Sequence, residues 1–215
     1  MHSRSCVWLF DLDNTLHDAS PHIFPHINRS MTEYLVRHLG LDLDAADHMR
    51  VDYWHRYGAT LLGLMRHHGT DPAHFLHHTH QFPELRRMLV FERALRGLIT
   101  RLPGRKVVFT NAPRAYALAV LDHMNARPLF DAVLGIEALG LAPKPQPQAF
   151  QRVLRAVGVP AHRCVFVEDT LANLKAGKAL GMKTVWVSRA PSSPAYVDVR
   201  LPNILQLRRA AWLAR

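Results

Sequence analysis

Val7-Trp8-Leu9-Phe10-Asp11-Leu12-Asp13-Asn14-Thr15 is the stretch from which the fold can be read. Its four apolar residues are too few for a helix and stop at a carboxylate, as expected of a strand buried on both faces. Short apolar runs of the same kind recur at 106–110, 132–134, 164–167 and 184–187. Between the last four lie segments of helical rhythm. One, at 115–124, follows Pro113; another, at 146–157, carries Phe150, Val153, Leu154 and Val157 and is closed by Gly158; a third, at 171–180, is closed by Gly181. Strands alternating with helices place the chain in the α/β class, with a parallel sheet covered on both faces.

Residues 16–100 interrupt that alternation. Ile23, Ile27, Met31, Tyr34, Leu35 and Leu39 follow helical spacing up to Gly40, and Asp44 offers an N-cap for a second helix running to Gly58. Further helical stretches are expected at 60–68, 72–80 and 83–100. A crossover between parallel strands needs only about a dozen residues, so this segment reads as an inserted helical domain. The expected organisation is a core of 1–15 and 101–215 with an insertion of 16–100. The tail 191–202 is turn-rich, and 204–213 suits a last amphipathic helix.

Of the 215 residues, 48% are hydrophobic, enough for one core with a modest insertion, and no apolar run approaches the roughly 20 residues of a membrane span. The polar start Met1–Ser5 lacks the features of a secretory signal, so a cytoplasmic protein is expected. Cys6 and Cys164 each sit in an apolar run and are assigned to packing rather than to a disulfide. The net charge of +10 comes from 27 Lys and Arg against 17 Asp and Glu, scattered without long runs. That argues for solvated helix faces and an attraction for anionic metabolites, not for a nucleic-acid polymer.

Ligands of open parallel sheets bind beyond the carboxyl ends of the strands. Those ends supply Asp11 and Asp13, then Thr110-Asn111, then Lys144 between Pro143 and Pro145, then Glu168-Asp169. A carboxylate can attack phosphorus and divide hydrolysis into two easier steps. Clustered carboxylates call for a hard cation such as Mg2+. A hydroxyl, an amide and a lysine suit phosphate oxygens, and a second aspartate can move the proton.

In this order, Asp-x-Asp-x-Thr, Thr-Asn, Lys-Pro and Glu-Asp, the motifs resemble those of the haloacid-dehalogenase-like hydrolases. The resemblance implies a Rossmann-like core, a helical cap in the insertion, and Mg2+ as cofactor. It makes Asp11 the nucleophile and Asp13 the general acid/base. The metal would be held by Asp11, Asp13 (through its carbonyl) and Asp169, with Glu168 acting through a water. Thr110, Asn111 and Lys144 would bind phosphate, with Asn173 in support. Asn14 stands where most members carry Gly. Asp-Leu-Asp-Asn-Thr-Leu, the Tyr57-Gly58-x-Thr60-Leu61-x-Gly63-Leu64 stretch, His67-His68-Gly69-x-Asp71-Pro72, and 101–106 are similar to the pyrimidine 5′-nucleotidase-like subgroup. Tyr57 is then the aromatic residue expected to face substrate. The expected activity is hydrolysis of a small phosphate monoester, UMP or CMP, with a sugar phosphate or phosphoglycolate as the alternative. Dehalogenation of 2-haloacids, which needs neither Asp13 nor a metal, and non-catalytic binding are the more distant rivals. His74 and His78, four apart on an expected helix, are read as surface residues rather than as a zinc site.

Overall fold

The computed structural model describes residues 6–214; the polar stretch 1–5 and residue 215 lie outside the described residues. Six parallel strands form one sheet: β1 (Val7–Phe10), β2 (Arg105–Phe109), β3 (Ala132–Leu134), β4 (Cys164–Glu168), β5 (Lys183–Val187) and β6 (Val199–Leu201). Their order is β3-β2-β1-β4-β5-β6. The α/β class and the helical insertion are as the alternation of elements demanded. All four residues of β1 have no exposed surface, so both faces of the central strand are covered. The sequence runs from β1 outward through β2 and β3, then returns to β4 on the other side of β1. The carboxyl ends of β1 and β4 therefore flank the point where strand order reverses, the position at which an open sheet offers a crevice.

The helices in chain order are α1 (Ile23–Leu39), α2 (Leu43–Tyr57), α3 (Thr60–His68), α4 (Pro72–Thr79), α5 (Leu85–Met88), α6 (Leu95–Thr100), α7 (Arg114–His123), α8 (Pro147–Val157) and α9 (Leu171–Ala179). The residues fall into two compact units, Met1–Asp18 with Val90–Arg215, and Ala19–Leu89. Within the first, Phe150 of α8 packs edge-on against Phe109 of β2 and Phe166 of β4, with ring centroids 5.4 and 5.8 Å apart. Within the second, Tyr34, Leu35, Ala46, Leu61, Leu64 and Phe75 make a separate core from α1, α2, α3 and α4. Residues 90–94, ahead of α6, belong to the first unit: Asp18 N–H donates to the carbonyl of Val90 at 2.8 Å and α6 packs against the last helix.

Three local readings change. The turn-rich tail contains β6, whose register Val185↔Val199 is fixed by Asp198 accepting from the backbone N–H of Thr184 at 2.7 Å. The last helix is a 3-10 helix, Ile204–Ala214. The N-cap of α2 is Asp42, whose side chain accepts from Ala45 N–H at 2.8 Å; Asp44 lies inside the first turn. Among the described residues, no helix is long and apolar enough to cross a membrane.

Candidate active site

Asp11 continues β1 by one hydrogen bond, its N–H donating to the carbonyl of Val167 on β4 at 3.0 Å. Its carboxylate is thereby placed next to the end of β4, which Glu168 closes and Asp169 follows. Lys144 reaches the same spot from the loop before α8. Its ammonium donates to Asp11 Oδ1 at 2.7 Å, to Glu168 Oε2 at 2.7 Å and to the carbonyl of Phe109 at 2.9 Å. All three donors of the lysine are used, and the side chains of Asp11, Lys144 and Glu168 are buried. The ammonium also lies 5.0 Å from the ring centroid of Phe109 and 5.5 Å from that of Phe166, so the aromatic cluster forms its apolar floor.

Glu168 is the organiser of this end of the sheet. Its Oε1 accepts from the N–H groups of Asp169 and Thr170, and its Oε2 accepts from Lys144 and from Asn173 Nδ2 at 3.0 Å. Asn173, on α9, is therefore buried and bonded rather than on the helix surface. Asp169 keeps its carboxylate partly exposed, accepts from Thr170 Oγ1 at 3.2 Å, and is pinned by Trp186 Nε1 donating to its carbonyl at 2.7 Å.

Thr110 is buried, with its hydroxyl oxygen accepting from Ala112 N–H at 3.1 Å. Asn111 is exposed and its amide is spent on the backbone of Lys144: Oδ1 accepts from Lys144 N–H at 2.7 Å and Nδ2 donates to the Lys144 carbonyl at 3.1 Å. The side chain expected to hold phosphate thus fixes the lysine loop. Tyr57 belongs to the helical unit, where its hydroxyl and His67 Nε2 are 2.6 Å apart.

Burial sets the electrostatics. It pushes the Asp11 carboxyl up to about 7, helped by repulsion from Glu168 and Asp13 and opposed by Lys144. Burial likewise raises Glu168 to about 7, against the pull of Lys144, and raises Asp169. For Lys144 burial works against the charged form, yet Asp11 and Glu168 outweigh it and the group is raised. Carboxylate oxygens of Asp11, Glu168 and Asp169 lie within 4.8 Å of one another. One ammonium cannot balance three acids in a low dielectric, so the donor set suits a hard divalent cation, which would relieve the burial cost.

The Asp13 carboxylate does not join that cluster. Its Oδ1 accepts from Tyr116 OH at 2.7 Å and pairs with His17 Nε2 at 2.9 Å. Neither partner was singled out in the sequence. His17 stands four residues after Asp13, a spacing that could have drawn attention among fifteen histidines. Tyr116 lies near the start of α7, just beyond Thr110-Asn111. The histidine group of α4 is accounted for locally: Tyr34 OH and His74 Nδ1 are 2.8 Å apart, and His38 and His78 pack beside them.

Similarity to known proteins agrees with this geometry. A family model described as haloacid dehalogenase-like hydrolase matches residues 7–181. A phosphoglycolate phosphatase of Pseudomonas fluorescens is 28% identical over 193 residues, covering 84% of this chain and 68% of the relative. The crystal structure of a HAD phosphatase from Thermococcus onnurineus superposes with a TM-score of 0.66 at 21% identity, covering 95% and 97% of the two chains. A HAD hydrolase of Bacillus subtilis bound to magnesium superposes with a TM-score of 0.57 at 17% identity, covering 97% and 99%.

Proposed function

Because this chain belongs to the haloacid dehalogenase-like hydrolases, we propose that it is a Mg2+-dependent phosphomonoesterase whose Asp11 is transiently phosphorylated by a small metabolite ester. The observation that carries this reading is the buried ammonium of Lys144 held between Asp11 and Glu168, with Asp169 alongside. Such a lysine opposes the effect of burial, favouring the ionised form of Asp11 and aiming its carboxylate, as a nucleophile requires. Asp11, Asp169 and the Asp13 carbonyl would hold Mg2+, with Glu168 acting through the groups it orders, since four donors already occupy its oxygens. The metal would neutralise phosphate oxygens and align the attack.

In the first step an oxygen of Asp11 bonds to phosphorus while the ester P–O bond breaks. Asp13 gives its proton to the departing oxygen. In the second step a water bonds to phosphorus, its proton passes to Asp13, and the Asp11–phosphorus bond breaks to release phosphate. Thr110 and Lys144 contribute hydrogen bonds and charge to the transferring group. The B. subtilis structure bound to magnesium supports the choice of metal. To the helical unit Ala19–Leu89 we assign the substrate-selecting role that the family resemblance implies for the insertion.

For the substrate, we favour a small phosphorylated acid or sugar, in keeping with the phosphoglycolate phosphatase of P. fluorescens. The resemblance of the insertion to pyrimidine nucleotidases carries the second reading, UMP or CMP. Much of that motif is explained by packing inside the helical unit. Gly58 ends α2 at φ 81°, Thr60 Oγ1 donates to the carbonyl of Arg50 at 2.9 Å, and Leu61 and Leu64 are core. A Cβ on Gly63 would stand 2.3 Å from the ring of Tyr53. Residues accounted for by packing do not report on a base.

The test is phosphate release from 2-phosphoglycolate, sugar phosphates, UMP, CMP and AMP, with Mg2+ and with EDTA. The expected result is Mg2+-dependent turnover led by a small acid or sugar ester. Preference for UMP and CMP would install the second reading. Turnover that persists in EDTA, or halide release from a 2-haloacid, would remove the phosphatase reading.

A further inference from the structure

We propose that His17 and Tyr116 are positioning residues that together hold Oδ1 of Asp13, leaving Oδ2 as the atom that exchanges the proton with the leaving group. The inference rests on the phosphatase reading and extends it to two residues outside the four motifs.

The geometry is a three-point contact drawn from two elements. Tyr116 OH donates to Asp13 Oδ1 at 2.7 Å, His17 Nε2 lies 2.9 Å from the same oxygen, and the two partners are 3.5 Å apart. The side chain of His17 is fully buried, and Tyr116 is 4% exposed, whereas the Asp13 side chain keeps 16% of its surface. The acid therefore faces outward from a closed support.

The buried surroundings also choose the tautomer of His17. Its Nδ1 is buried and meets no hydrogen-bonding partner among the described residues. A proton there would be a buried donor with nothing to accept it, whereas a bare lone pair is tolerated more easily. The proton accordingly sits on Nε2, which makes His17 a second donor to Asp13. Burial and the neighbouring Asp13 carboxylate raise the Tyr116 hydroxyl strongly, so it too remains a donor.

Two donors on one oxygen have a chemical consequence. They occupy the lone pairs of Oδ1, so the carboxylic proton resides on Oδ2. During the first step that proton moves from Oδ2 to the ester oxygen as its bond to phosphorus breaks. The negative charge left on Asp13 is shared with an oxygen already bonded to two donors. In the second step water returns a proton to Oδ2. Neither His17 nor Tyr116 gains or loses a proton in either direction.

A leaving-group comparison separates this role from mere support of the fold. An alkyl phosphate needs a proton on its leaving oxygen, whereas p-nitrophenolate departs without one, and kcat/KM reports only the first phosphoryl transfer. Tyr116→Phe and His17→Leu are expected to lower kcat/KM about 10- to 100-fold for the best alkyl ester of the panel. For p-nitrophenyl phosphate the expected loss is below about threefold. His17→Gln, which can place an N–H near the position of Nε2, restores most of the alkyl activity. Equal losses on the two esters would overturn the positioning role, and the near-isosteric Tyr116→Phe keeps that outcome accessible if His17→Leu does not fold. A wild-type protein silent on both esters in Mg2+ would overturn the phosphatase reading itself and this inference with it.

Discussion

Lys144 is the side chain on which the site's charge balance turns. Its ammonium is held by Asp11, Glu168 and a carbonyl, with aromatic rings as its remaining surroundings. Replacing it with Met keeps the length and removes the charge, leaving two acids facing each other out of water. Breaking a buried pair in this way costs about 3–5 kcal/mol. Lys144→Met should therefore lower the thermal midpoint in EDTA, and Mg2+ should recover part of the loss. An unchanged midpoint would mean that the acids are protonated or wetter than their burial implies. At this scale the sequence drew attention to Asp11, Lys144, Glu168 and Asp169, because each stands within two residues of the end of an apolar run or sits between prolines. It was silent about Tyr116, since its contact with Asp13 depends on the placement of α7 relative to the loop after β1, and for His17 it offered only the four-residue spacing from Asp13. Nor did it show that the Asn111 amide bonds to the backbone of Lys144, because a short polar side chain in a loop can bond to backbone as readily as to a ligand.

Between elements, one close approach of backbone to backbone is at the end of β3. A Cβ on Gly135 would stand 2.4 Å from the backbone nitrogen of Arg114 and 2.8 Å from the carbonyl oxygen of Ala112. That loop is stitched to the strand by Thr110 N–H donating to Leu134 and Ile136 N–H donating to Ala112. It also carries Thr110 and leads into Tyr116. Gly135→Ala must move backbone, with an expected cost of about 1–3 kcal/mol in a denaturant titration and a fall in kcat. Retention of both would show that the loop yields freely. Five of the six strands and the main helices were legible because their apolar periodicities are long enough to count. β6 was not, since three residues among prolines carry no period and the strand exists through its pairing with β5 and through Asp198. The cap of α2 shifted by two residues because Asp42 and Asp44 offer the same chemistry, and only backbone geometry separates them.

Across the whole molecule, the excess of +10 acts at a distance. Screening shortens its reach to about 8 Å at physiological ionic strength. For a dianionic ester, kcat/KM should fall at least about threefold between roughly 20 and 200 mM salt while kcat holds steady. An indifferent kcat/KM would mean that the basic residues only solvate helix faces. The pairing of Asp18 with Val90 brings the two ends of the insertion side by side, with a hydrogen bond of 2.8 Å between them. A segment whose entrance and exit share one doorway can be lengthened, exchanged or lost by a single genetic event without threading the rest of the chain differently. Lineages can thus graft a new head onto an inherited engine, and a protein engineer could splice in a foreign one at the same two codons.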